Sequence, residues 1–71
     1  MTDFDMLLAK IKDNGMTITS FCLKAGIKRA NFYNRKRGMG EFTASEIVRM
    51  ATTLHLTKPE RDSIFLTKNV K

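Results

Sequence analysis

Two T-x-x-E tetrads, at residues 43–46 and 57–60, each stand directly before a run of apolar residues. In such a tetrad the threonine hydroxyl accepts a backbone N–H of the first helical turn, and the glutamate accepts the N–H of the threonine. The tetrads therefore predict two helix starts, the second with Pro59 tolerated in its first turn. After the first tetrad, an apolar stripe at helical spacing follows, formed by Ile47, Met50, Ala51 and Leu54.

The first 26 residues predict two more short helices. Thr2 or Asp3 can cap the first helix, and residues 14–15, Asn-Gly, favour a turn after it. Thr17 can cap the second helix, which Gly26 is expected to end because glycine accepts a positive φ. The stripe of the first helix is Phe4, Leu7, Leu8 and Ile11, and that of the second is Phe21, Cys22 and Ala25.

A basic third helix is expected over residues 28–37, since this stretch has no helix breaker and Gly38 follows it. Ile27 would fill the turn before this helix as an apolar plug. No alternating strand pattern of useful length occurs. We therefore expect an all-α chain with five short helices around one core, in a single domain over residues 1–71 whose core spans about 3–67 and whose C-terminal tail is frayed.

The composition excludes several classes of protein. A chain of 71 residues forms one domain and leaves no room for an enzyme-sized cleft. Cys22 is the single cysteine, so no internal disulfide forms, and no ligand stands near it at zinc spacing. His55, near the end of the fourth helix, is expected to interact with terminal carbonyls rather than to act in catalysis. We therefore expect no enzyme, cofactor or metal.

The longest apolar runs, at residues 6–9 and 64–66, fall far short of the ~20 residues that span a bilayer. The acidic start of the sequence also lacks the features of a signal peptide. These patterns predict a cytoplasmic protein with no membrane partner.

The net charge of +6 lies in one segment. None of the seven acidic residues falls between Asp13 and Glu41, whereas six of the thirteen basic residues do. In the remainder of the chain, seven basic residues balance the seven acidic ones. A neutral scaffold with one cationic element is typical of nucleic-acid binders, because basic side chains release counterions from phosphates. A merely solvated, charged helix face is the other interpretation of this pattern.

Residues 17–38 resemble the helix-turn-helix of the phage lambda-type repressor and Cro family. The matching positions run from Thr17 through the Phe21-Cys22 pair, the Gly26-Ile27 turn and the buried Phe32 to Gly38. The similarity extends through Phe42 and the capped fourth helix to Leu56, and residues 57–65 look like the last helix of small phage or prophage regulators from Gram-positive hosts. This resemblance implies a lambda-repressor-like DNA-binding domain with its helix-turn-helix at the second and third helices.

One position departs from the family pattern. An apolar residue usually follows the Phe32 position by three or four places, whereas this chain has Arg35 and Lys36 there. Either the stem of Arg35 packs on the core while its head reaches a phosphate, or the third helix ends early. We favour the packed stem. At Cys22 the alternatives are a small side chain at a close helix crossing and a reactive thiol, and we favour the first.

If the resemblance holds, the start of the third helix faces base edges in the major groove. Arg29 could donate two bonds to guanine, Asn34 could pair with adenine, and the Ala30 methyl could touch a thymine methyl. Tyr33 would pack on sugar and phosphate or cover Arg37. The expected base contacts are Lys28, Arg29, Ala30, Tyr33 and Asn34, and the expected phosphate contacts are Thr17, Asn31, Arg35, Lys36, Arg37 and Thr43.

The function that follows is that of a Cro-like transcriptional repressor, located at the nucleoid of a phage-infected or bacterial host cell. Its partner would be a double-stranded DNA operator, which it would bind as a weak homodimer formed in solution or only on DNA. The alternative is an antirepressor that keeps the fold and docks on a partner repressor protein. That alternative is motivated by the apolar Ile64, Phe65, Leu66 and Val70 and by the weak anchor of the third helix.

Overall fold

The computed structural model describes residues 1–66, which form five α-helices and no strand. The all-α expectation with five short helices is therefore confirmed for this part of the chain. The expected frayed tail after residue 67 and the apolar Val70 lie outside the described residues. The helices are α1 (Phe4–Asp13), α2 (Ile18–Ala25), α3 (Arg29–Lys36), α4 (Ala44–Thr53) and α5 (Lys58–Phe65).

Polar side chains cap the start of four helices. The Asp3 carboxylate accepts the Met6 N–H at 3.1 Å ahead of α1, so Asp3 rather than Thr2 is the cap. Full capping boxes precede α4 and α5, as the two T-x-x-E tetrads predict. Thr17 also caps α2 through a box, in which the hydroxyl of Ser20 takes the place of the glutamate. Helix α3 begins without a side-chain cap.

The turn between α2 and α3 is three residues long and begins at Gly26, whose φ is +72°. Its N–H and that of Ile27 both donate to the carbonyl oxygen of Cys22, which closes the end of α2. An alanine at residue 26 would be strained by this φ. Lys28 and Arg37 flank α3 as its caps, so the helix proper is one residue shorter at each end than the expected 28–37.

One apolar core lies at the centre of the five helices. Helix α2 packs against α1, α3 and α4, and α5 packs against α1 and α4. Cys22 is 2% exposed, and burial raises the pKa of its thiol while the nearby Arg29 charge lowers it; this favours the packing role over a reactive thiol. The buried apolar residues are Leu7, Ile11, Phe21, Cys22, Ala25, Ile27, Phe32, Phe42, Met50, Leu54, Ile64 and Phe65.

A salt bridge that the sequence did not predict joins α1 to α5. Lys10 Nζ donates to Glu60 Oε2 at 2.7 Å, while Glu60 Oε1 accepts the Thr57 N–H at 2.9 Å. The hydrogen bond from Lys10, followed by the one from Thr57, lowers the pKa of Glu60 from 4.5 to about 2. The same contact raises the pKa of Lys10. One carboxylate thus both caps α5 and ties it to the first helix.

This pair should make the stability of the fold depend on acid pH. Because the pKa of Glu60 is lower in the folded state, its contribution is complete above 4.5 and is lost as the pH falls towards 2. We expect Glu60→Gln to be less stable than wild type at pH 7 and the difference to close over that range. Urea unfolding at a series of pH values measures it.

A double-mutant cycle is the control for the Glu60 prediction. Lys10→Met removes the same salt bridge from the other side, so part of the two losses should be shared in the double variant. Strictly additive losses, or a Glu60→Gln difference that is constant from pH 7 to 2, would show that the pair is not coupled.

Candidate nucleic-acid interface

Helix α3 buries a single side chain and exposes most of the others. Phe32 is fully buried, with its ring 5.6 Å from that of Phe4, 6.1 Å from Phe21 and 6.1 Å from Phe42. The edge of Tyr33 also meets the Phe32 ring, at a centroid distance of 5.9 Å. The aromatic cluster holds one face of α3 against the core and leaves the rest of its surface available for contact.

The residues predicted to contact bases lie mainly on this open surface. Lys28, Arg29, Ala30 and Tyr33 are exposed, whereas Asn34 is half-buried. Asn34 Oδ1 accepts a hydrogen bond from Arg37 Nη2 at 2.6 Å. The first turn of α3 is therefore the more accessible part of the predicted base-contact set.

Arg29 makes a contact that local sequence patterns could not reveal. Its Nη1 donates to Thr19 Oγ1 on α2, at 3.2 Å across the turn. Both residues are exposed. The hydroxyl holds the guanidinium at the surface shared by α2 and α3.

The residues predicted to contact phosphate differ in their exposure and in the hydrogen bonds that they already make. Lys36 and Arg37 are exposed and Asn31 is half-buried, all on or next to α3. Arg35 is half-buried, α3 continues past it to Lys36, and its Nη1 donates to the Met39 carbonyl at 2.8 Å, which directs the head to its own chain. The remaining two, Thr17 and Thr43, sit at helix starts.

Both threonines already serve as helix caps. The Thr17 N–H donates to Ser20 Oγ at 3.0 Å, and the Thr43 N–H donates to a carboxylate oxygen of Glu46 at 2.8 Å. A phosphate at Thr43 would have to displace this carboxylate and would meet its negative charge. Thr17, whose box is neutral, is the better placed of the two.

The charge of the interface is not neutralised within the described chain. Segment 14–40 contains no acidic residue. The ion pairs formed within residues 1–66 join Met1 to Glu41, Lys10 to Glu60 and Arg61 to Asp62. None of these includes a cation of segment 14–40, so its positive charge remains available for an anionic partner.

Arg49, on α4, makes a second contact that could not be predicted from the sequence. Its Nε donates to the Ala25 carbonyl at 2.9 Å, and its Nη1 donates to Ser45 Oγ at 2.6 Å. The guanidinium thus lies at the C-terminal end of α2, where the helix dipole favours a cation. Because Ala25 and Arg49 are 24 residues apart, no local motif could have revealed this contact.

Residues 1–66 contain no group of three His, Cys, Asp or Glu side chains placed to hold a metal ion. No helix in this part of the chain combines the length and apolar character needed to cross a membrane.

The chain matches no protein-family model, no curated protein and no solved structure.

Proposed function

We propose that the chain is a sequence-specific DNA-binding regulator that places α3 in the major groove of an operator and represses transcription by occupying it. The observation that carries this proposal is the surface of α3. One buried aromatic residue, Phe32, anchors the helix. Its exposed basic side chains are Arg29 and Lys36, the flanking Lys28 and Arg37 are exposed too, and the segment around them has no acid. An α-helix fits the ~12 Å width of the major groove.

The exposed first turn of α3 supplies the chemistry for reading base edges. An arginine can donate two parallel hydrogen bonds to O6 and N7 of guanine, and a methyl group can contact thymine. Arg29 and Ala30 are exposed in this turn, next to Lys28. The Asn34 oxygen already accepts a hydrogen bond from Arg37, whereas Arg29 is exposed in the first turn, so Arg29 is the strongest candidate for a specific contact.

Lys36, Arg37 and the cap of α2 at Thr17 would contact phosphates on either side of the base-reading turn. Such contacts fix the register of a protein on the duplex and supply affinity that does not depend on sequence. They also make binding depend strongly on salt.

The size of the molecule is compatible with a dimer on DNA. Its extents are 34 × 25 × 20 Å, so two copies can lie side by side on half-sites about one helical turn, ~34 Å, apart. We propose that such a dimer forms on the operator and makes few contacts of its own.

Titration of a fluorescent random-sequence duplex at a series of salt concentrations tests the electrostatic part of the proposal. We expect the logarithm of the association constant to fall linearly with the logarithm of salt, with a slope of about −0.9 for each phosphate contacted. Lys12→Ala, on α1 and outside the proposed contacts, is the matched control and should keep the wild-type slope. Binding that does not respond to salt, or a slope in Lys12→Ala that is shallower than in wild type, would contradict a phosphate-contacting α3.

The antirepressor alternative is less well supported, because two of the apolar residues that suggested it are buried. Of the apolar residues near the end of α5, Ile64 is fully buried and Phe65 is 4% exposed, so both belong to the core. Leu66 alone is exposed among those that the structure describes. A docking surface for a partner repressor would need more than this side chain.

A further inference from the structure

The segment after α3 is folded back onto the end of that helix. The Gly38 N–H donates to the Arg35 carbonyl at 3.0 Å, and the Met39 N–H donates to the Asn34 carbonyl at 2.8 Å. With Gly38 at a φ of +86°, these two bonds form a Schellman motif. The direction in which the chain leaves α3 is thus set by backbone bonds to its last turn.

The side chain of Arg35 adds a third connection to the same place. Its Nη1 donates to the Met39 carbonyl at 2.8 Å, and its Nε is buried without a hydrogen-bond partner among the described residues. Gly40 lies against the guanidinium, since a Cβ added at residue 40 would be 3.0 Å from Nη1. The guanidinium therefore lies against residues of its own chain, with its Nε buried.

Arg49 forms a comparable connection at the other end of α3. Besides its bonds to Ala25 and Ser45, its Nη2 reaches the Gly26 carbonyl at 3.5 Å. It thereby links α4 to the turn that immediately precedes α3. A forked guanidinium suits this place, because it can hold more than one acceptor in a fixed geometry.

We infer that Arg35 and Arg49 are positioning residues that hold α3 from its two ends, and that neither gives its charge to DNA. The inference rests on the proposed function in treating α3 as the helix that meets the groove. Phe32 is the one side chain that α3 buries, and a single anchor leaves an eight-residue helix able to pivot about it. The two arginine contacts restrict this motion, so the exposed first turn is presented in one orientation.

Amide hydrogen exchange tests the positioning role without DNA. In Arg35→Met the Gly38 and Met39 amides should exchange roughly tenfold faster than in wild type, because they lose a charge-assisted contact on the same segment. In Arg49→Met the same increase is expected at Gly26 and Ile27. Lys36→Met removes an adjacent charge of the same helix and should leave all four amides unchanged.

Arg35→Lys is the second variant, to be used if Arg35→Met does not fold. It keeps the charge and most of the stem but lacks the planar guanidinium that donates to Met39 and lies against Gly40, so it should also speed exchange at Gly38 and Met39. Unchanged exchange at these amides in a folded Arg35→Met or Arg35→Lys variant would overturn the inference.

Salt titration on duplex DNA separates positioning from phosphate contact. Arg35→Met should reduce the preference for a specific site over random DNA while keeping the wild-type salt slope, whereas Lys36→Met should make the slope shallower by about 1. A shallower slope in Arg35→Met with unchanged exchange would instead make Arg35 the phosphate contact that the sequence predicts. If no DNA is bound at all, the proposed function fails, and the exchange data still decide the positioning role.

Discussion

Phe32→Ala should lower the free energy of unfolding by about 3–5 kcal/mol, which is the cost of removing a fully buried phenylalanine ring. A chain of this size has a total of only ~3–5 kcal/mol, so the variant should be largely unfolded at room temperature. The effect is large because Phe32 is the one residue that α3 buries and its ring contacts those of Phe4, Phe21 and Phe42. Urea unfolding followed by circular dichroism measures it.

Two matched variants decide whether this cost comes from the site or from the loss of any ring. Tyr33→Ala removes the neighbouring ring, which is 40% exposed, and should cost about 1 kcal/mol or less. Phe32→Leu keeps most of the apolar volume and should cost under about 1.5 kcal/mol. A folded Phe32→Ala variant with a loss no larger than that of Tyr33→Ala would contradict the assigned anchor of α3.

Arg29→Ala should weaken binding to a specific site by about 1–3 kcal/mol, roughly 5- to 150-fold, and should relax the preference for one base. The side chain is exposed, and among residues 1–66 its guanidinium hydrogen-bonds to the Thr19 hydroxyl alone. The fold should therefore tolerate its removal. Anisotropy titrations on specific and random duplexes, at one fixed salt concentration, measure both quantities.

Lys36→Ala is the contrasting variant, because an exposed lysine at the end of α3 is expected to contact phosphate. It should weaken specific and random DNA alike and make the salt slope shallower by about 1. If Arg29→Ala loses the same affinity on both kinds of DNA, Arg29 does not read a base.

The local parts of the fold were predictable because their signals are local. Caps at Thr17, Thr43 and Thr57 and the helix end at Gly26 each depend on residues within four positions along the chain. Helical periodicity likewise identified most of the core, including Phe21 and Met50. These predictions needed no knowledge of how the helices pack.

Contacts between distant residues could not be predicted in this way. The Lys10 and Glu60 pair spans 50 positions, and Arg49 reaches the end of α2 from 23 and 24 positions away. Glu60 in particular was assigned only a capping role, although the same carboxylate also accepts from α1. Charged side chains on a helix surface carry no local sign of which other helix will lie beside them.

The backbone conformation of His55 could not be predicted from the sequence either. The residue was expected to interact with the terminal carbonyls of the fourth helix, and it is the backbone N–H that does so, donating to the Thr52 carbonyl at 3.2 Å. Its φ is +54°, a conformation usually taken by glycine or asparagine after a helix. Sequence preferences at this position did not identify a histidine as the residue that ends α4.

Arg35 was the open point in the sequence; it is half-buried, and α3 continues past it to Lys36. Its guanidinium turns to Met39 and Gly40, which the sequence could not show because the pairing depends on the two positive φ angles that follow α3. Arg35 and Arg49 thus differ from the other basic residues around α3 in donating to backbone carbonyls, and we propose that Lys28, Arg29, Lys36 and Arg37 meet DNA while these two do not.

Selection of binding sites from a random duplex pool, run in parallel with wild type and Arg29→Ala, tests sequence-specific binding by α3 most directly. We predict that wild type enriches a defined motif and that Arg29→Ala enriches the same motif with one guanine preference lost. Two symmetric half-sites about one helical turn apart would show that the protein binds as a dimer. Failure of wild type to enrich any motif, or an identical motif from both proteins, would contradict the reading of bases by α3.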